Sequence, residues 1–181
     1  RYIGRQDILL CSDKICKIQP HIPAHEMMDA VYDCQGLYAF PGILDQHVHI
    51  LGGGGEEGFA SHIPEAESRE FFQGGITTVV GLLGADRWVR NLDALYGKAK
   101  ALEAEGLTTY IYIGSYTVPP VTFTGEVIRD MVLVDKVIGV KTAISDHRGS
   151  CGTEEELIRL ASQAHLGGML GGKAGVVHLH L

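Results

Sequence analysis

The chain has 181 residues, 45% hydrophobic and 20% charged, with a formal charge of −7, a make-up that excludes a disordered or fibrous protein. Lys and Arg are scattered without a basic block, which argues against a nucleic-acid partner and for a small-molecule or peptide substrate. No run of about 18 apolar residues could span a bilayer and no leader-like segment opens the chain, so no membrane partner is expected and the cytoplasm is the expected location. Cys11, Cys16, Cys34 and Cys151 show neither zinc-ribbon spacing nor the density of a disulfide scaffold, and are expected to be reduced thiols. The chain begins at Arg1 rather than Met and stops at Leu181 inside an apolar run, so a longer protein, cut at both ends, is the expectation.

Residues 1–40 read as a small, incomplete β-sandwich-type unit. Two apolar runs between 7 and 18 flank Ser12-Asp13-Lys14, whose side chains suit a hairpin turn. A further extended stretch, 30–40, leads to Pro41-Gly42, where the chain changes character. From 41 to 181 apolar strands alternate with helical segments, the pattern of a parallel sheet with crossover helices. The strands are expected at 43–49, 77–83, 109–115, 137–144 and 175–180.

Three helices are expected between them. One carries Pro64 in its first turn and stops at Gly74-Gly75. The second presents Leu92, Leu95, Tyr96, Ala99 and Leu102 on one face and stops at Gly106. The third starts with Thr153 and Glu156 at capping-box spacing and stops at Gly167-Gly168. The expected fold class is therefore α/β, a TIM-like (β/α)8 barrel interrupted after about five strands, since a complete barrel needs roughly 250 residues. An open doubly wound sheet is the alternative.

His47 and His49 close the first barrel strand, and strand alternation points both imidazoles to one face, where both can reach one metal. Lys141 ends another apolar strand, where burial would lower its pKa and expose a neutral amine able to add carbon dioxide; a lysine that snorkels outward and pairs with Asp146 is the other outcome. His178 and His180 share a face of the last strand, one a candidate ligand and the other packing nearby. The glycine run 52–55 lets backbone N–H groups approach a ligand, and Glu56 after it suits a substrate ammonium or is simply a solvated acid.

The strings PGILDQHVHILGGGGE, GGITTVVGLLG, VIGVKTAISDHR and GGMLGGKAG followed by VVHLH, spanning Pro41 to His180, resemble the isoaspartyl dipeptidases of the amidohydrolase superfamily. The resemblance implies a barrel holding two Zn2+ ions bridged by an N6-carboxylated Lys141, with His47, His49 and His180 as further ligands and His178 as a bystander. It also implies that Gly54, Gly55 and Glu56 receive the substrate's amino end, that Tyr116 in GSYTVP polarises the scissile carbonyl, and that Arg148 binds a carboxylate through its planar fork. Ala85 stands where the family pattern has a threonine at the substrate pocket, so a hydroxyl contact is lost there. The implied activity is zinc-dependent hydrolysis of β-aspartyl dipeptides in a homo-oligomeric intact protein. The 181-residue chain by itself is expected to be inactive, because further ligands and the general base are expected beyond Leu181. The alternatives are a hydantoinase, dihydroorotase or aminoacylase type of amidohydrolase, or a catalytically silent scaffold homologue.

Overall fold

The structure, a computed structural model, describes residues 2–150 and 152–181, so the expectation for Cys151 lies outside it. The chain divides into two units that meet in sequence at Phe40 and Pro41.

In the first unit β1 (Asp7–Cys11) pairs antiparallel with β2 (Lys14–Gln19), from Asp7 opposite Gln19 to Cys11 opposite Lys14, with a bulge at Leu9/Leu10. The expected turn is present, and Ser12 takes the left-handed conformation (φ 55°) that short polar residues tolerate. Residues 30–40 form no strand; they turn at Cys34, whose carbonyl accepts from Leu37 N–H at 3.1 Å. Ile8, Leu10, Ile15 and Ile18 stay exposed, as expected of a two-stranded ribbon with too little surface to bury both faces.

In the second unit five strands, β3 (Ile43–Val48), β4 (Ile76–Gly81), β5 (Thr108–Gly114), β6 (Val137–Ala143) and β7 (Val176–His180), form one curled parallel sheet in sequence order. All five lie within two residues of their expected limits. Among the described residues no strand order reverses, so the doubly wound alternative finds no switch point in this segment, and the sheet is an arc compatible with a TIM-like barrel. Val79, Ile111, Ile113, Val137 and Val140 pack in the larger core cluster with helix residues such as Leu95, Met131 and Leu160, while Val80, Leu82 and Tyr112 form a separate cluster. No helix among the described residues is long and apolar enough to cross a membrane.

The helices depart from expectation in three places. Pro64 lies upstream of α1 (Ser68–Gln73), which starts where Glu67 N–H donates to the Glu70 carboxylate at 3.2 Å. A short helix that periodicity did not announce, α3 (Val127–Leu133), precedes β6. Its buried Asp130 accepts from Phe123 N–H at 2.6 Å and Thr124 N–H at 2.8 Å, tying down the loop that leads into it. The last helix, α4 (Glu154–Gly171), starts at the expected Thr153/Glu156 capping box but runs through Gly167-Gly168 and stops at left-handed Gly172. The glycines inside it serve close packing: a Cβ at Gly167 would come 2.9 Å from Met131 Cβ, and one at Gly168 would come 2.5 Å from Gly175 Cα. By contrast α2 (Leu92–Ala104) buries Leu92, Leu95, Ala99 and Leu102 and ends just before Gly106, as its periodicity predicts.

Candidate active site

Because the strands are parallel, their carboxyl ends share one edge, where barrels of this type place chemistry. β3 carries His47 just before its last residue, Val48, with His49 just past it; β6 carries Lys141 and leads to Asp146 and Arg148; β7 carries His178 and His180. The register sets Lys141 beside His178 and Ala143 beside His180.

The imidazoles form a packed group. His47 and His49 have ring centroids 5.4 Å apart, and His47 lies 4.9 Å from His178 and 6.5 Å from His180. His47 Nδ1 and His178 Nε2 are 2.8 Å apart, a hydrogen bond that requires one N–H and one lone pair. Burial, and then the nearby Lys141, push both His47 and His49 down to about 4, so these rings are neutral at neutral pH. His178, the expected bystander, is thus part of the cluster: it pairs with His47 and stacks on Tyr112 at 5.1 Å.

Lys141 is completely buried. Its Nζ donates to Leu83 O at 3.1 Å and lies 4.4 Å from the Tyr116 ring centre. Burial first, and the Arg148 charge second, lower its pKa to about 8. It does not snorkel to Asp146, which is engaged elsewhere. Asp146 Oδ1 accepts from Arg148 Nε at 2.9 Å and from Arg148 N–H at 2.7 Å, while Oδ2 accepts from Nη2 at 2.7 Å and lies 2.9 Å from His180 Nε2. These bonds hold the Asp146 carboxyl far below the usual range and raise Arg148 further.

The glycine loop follows His49. Gly52, Gly54 and Gly55 all have positive φ, and a Cβ at any of them would lie within 2.5 Å of Ile63 O, Ser61 O or the His62 ring, so no other residue fits. Glu56 reaches across to Arg148 Nη1 at 2.7 Å. The buried Tyr116 ring, 5.0 Å from His180 and 4.9 Å from the Arg148 guanidinium, completes the group, and burial raises its hydroxyl pKa. Ala85 is half-buried after β4, between Gly84 and Asp86.

The arrangement therefore brings together His47, His49, Lys141, His180, Tyr116, Glu56 and Arg148, and adds His178 and Asp146. Among the described residues no three His, Cys, Asp or Glu side chains are disposed to hold a metal ion. His49 Nδ1 and Asp86 Oδ1 are buried without a hydrogen-bond partner among the described residues, and both flank the point a Gly84 Cβ would occupy, at 3.4 Å and 3.1 Å. Alternation already put His178 on the face of His180, but its pairing with His47, 131 residues away in sequence, had no local signal.

No family model matches the chain. A solved beta-aspartyl dipeptidase from the thermophilic keratin-degrading Fervidobacterium islandicum AW-1, in complex with beta-Asp-Leu dipeptide, is similar with 50% identity and a TM-score of 0.93 over 99% of this chain and 48% of that one. A second structure of beta-aspartyl dipeptidase from the same organism gives 49% identity and a TM-score of 0.92 over 99% of this chain and 49% of that one. The chain thus spans about half the length of the solved chains it matches.

Proposed function

Since the chain belongs to the beta-aspartyl dipeptidase family, we propose that the protein carrying it is a zinc-dependent amidohydrolase that cleaves β-aspartyl dipeptides. The observation that supports this reading is the meeting, at one sheet edge, of neutral imidazoles, a fully buried lysine and a Glu56–Arg148 ion pair.

By donor type His47, His49, His180 and Lys141 suit zinc, as part of a shell for two ions. His47 and His49 are neutral, so each ring keeps a lone pair to offer, and the pKa of Lys141 leaves about half of its amine neutral near pH 8. That amine adds carbon dioxide: an N–C bond forms, the nitrogen proton leaves to solvent, and a carboxylate-like carbamate results. His47, His49, His180 and the Lys141 carbamate would hold the ions, which when bound supply a water of lowered pKa and polarise the scissile carbonyl.

The remaining work falls to the chain's own side chains. A zwitterionic dipeptide replaces the Glu56–Arg148 pair with two of its own, its ammonium on Glu56 and a carboxylate on Arg148. Asp146 grips Nε and Nη2 of Arg148, which leaves the Nη1 side of the fork for the ligand. Tyr116, kept protonated by burial, donates its hydroxyl proton to the oxygen on which negative charge develops.

Zinc-loaded protein should release aspartate and leucine from β-Asp-Leu and leave hydantoin, dihydroorotate and N-acyl amino acids intact. The reverse preference would assign it to another amidohydrolase branch. Full zinc occupancy with no activity on any of them would leave a silent scaffold.

A further inference from the structure

The glycine loop is one arm of a short antiparallel ribbon: Gly54 bridges His62, and Ile63 N–H donates to Gly53 O at 2.8 Å. Glu56 sits in the turn between the two arms. Arg90, just ahead of the α2 N-cap Asn91, closes the open end of this ribbon. Its Nη1 donates to Gly53 O at 3.1 Å and its Nη2 to Ile63 O at 2.8 Å, so one guanidinium spans both arms. Asp86, whose side chain is only 4% exposed, pairs with the same Nη1, and its backbone carbonyl accepts from Arg90 N–H at 3.1 Å. His62 Nε2 lies 3.7 Å from Asp86 Oδ2. A planar fork can hold two carbonyls in fixed directions while a carboxylate grips it; an ammonium is a single point and cannot.

We propose that Arg90, anchored by Asp86, is a positioning residue for substrate binding: it locks the ribbon between Gly53 and Ile63 so that Glu56 is held where the substrate ammonium arrives. The inference rests on the reading that Glu56 receives that ammonium. Arg90 touches backbone and Asp86, so its effect on substrate passes entirely through the loop.

The test compares the zinc-loaded wild type with Arg90→Lys and Arg90→Met in turnover of β-Asp-Leu and in competitive inhibition by N-succinyl-leucine, a ligand that lacks only the amino group. Arg90→Met should raise KM for β-Asp-Leu by about tenfold, the size of one charge-assisted hydrogen bond, with kcat and zinc content little changed and the inhibition constant of N-succinyl-leucine unmoved. Arg90→Lys should recover only part of the loss, and neither change should add to Glu56→Gln. An equal rise in KM for β-Asp-Leu and in the inhibition constant of N-succinyl-leucine, or full additivity with Glu56→Gln, would overturn the proposal. Amide hydrogen exchange at Ile63, measured on the folded Arg90→Lys protein, is a readout independent of activity; exchange no faster than wild type would also overturn it. A wild type inactive on β-Asp-Leu would count against the function reading alone, and exchange at Ile63 would still decide whether Arg90 locks the ribbon.

Discussion

Two glycines inside helices should respond to the same substitution with opposite signs. Gly97, in the middle of α2, has nothing within 4 Å of the position a Cβ would take, whereas a Cβ at Gly168 in α4 would lie 2.5 Å from Gly175 Cα, 2.8 Å from Gly175 N and 3.0 Å from Lys173 O. Alanine gains about 1 kcal/mol over glycine in a helix interior, and at Gly97 that gain is unopposed. At Gly168 all three contacts are backbone and none can rotate away, which sets the overlap near the upper end of the roughly 1–3 kcal/mol typical of overpacking. The net effects are a stabilisation of about 1 kcal/mol for Gly97→Ala and a loss of about 2 kcal/mol for Gly168→Ala. Gly175 leads directly into β7, so the displacement should also disturb His178 and His180 and lower zinc occupancy. Urea unfolding midpoints of the two variants and wild type, with zinc measured on the same samples, provide the readout. A Gly168→Ala protein as stable as Gly97→Ala would refute the idea that α4 is held against the start of β7 by the absence of side chains.

Lys141→Met in metal-free protein tests the buried amine. Its pKa is about 8 when folded against an ordinary lysine value of 10.5, so the charge penalty, roughly 3 kcal/mol, is full below pH 8 and vanishes as pH passes the unfolded value. The Met variant should therefore be the more stable near pH 7, with the gap closing toward pH 10.5; a pH-independent gap in denaturation experiments would contradict this. Lys141→Ala should lose zinc and activity together and recover part of both with added short-chain carboxylic acids, whereas normal zinc content without rescue argues against a carbamate bridge. Arg148→Lys should raise KM about tenfold, because an ammonium cannot keep the two-nitrogen grip on Asp146 and still reach the ligand; an unchanged KM with a lowered melting temperature would make the residue structural. Tyr116→Phe should cut kcat by about a hundredfold with little change in KM, and an unaltered kcat would remove the hydroxyl from the reaction.

Much of this architecture was legible from local pattern. The five strands of the parallel sheet lie where apolar runs predict, and their sequential parallel order follows from the alternation with helices. The Thr153/Glu156 box and the apolar face of α2 announced their helices. Alternation alone aligned His47 with His49 and His178 with His180. At the end of α4 glycine reads as a stop signal because of its backbone entropy, yet Gly167 and Gly168 are helical, and neighbours from elsewhere occupy the space a side chain would need. Likewise α3 has no side-chain cap, and its buried Asp130 bonds to a loop that only the folded chain brings near.

By itself, then, the sequence determined where the strands run and that His47 and His49, and His178 and His180, share a face near the carboxyl ends of theirs, since both follow from apolar pattern and the two-residue period of a strand. Only the tertiary structure decided who meets whom: His47 with His178, Glu56 with Arg148 across 92 residues, and Arg90 with the carbonyls of Gly53 and Ile63. Those pairings depend on sheet register and loop packing between segments far apart along the chain, and the cost of burying each charge is settled there, where partners and solvent exclusion are set together.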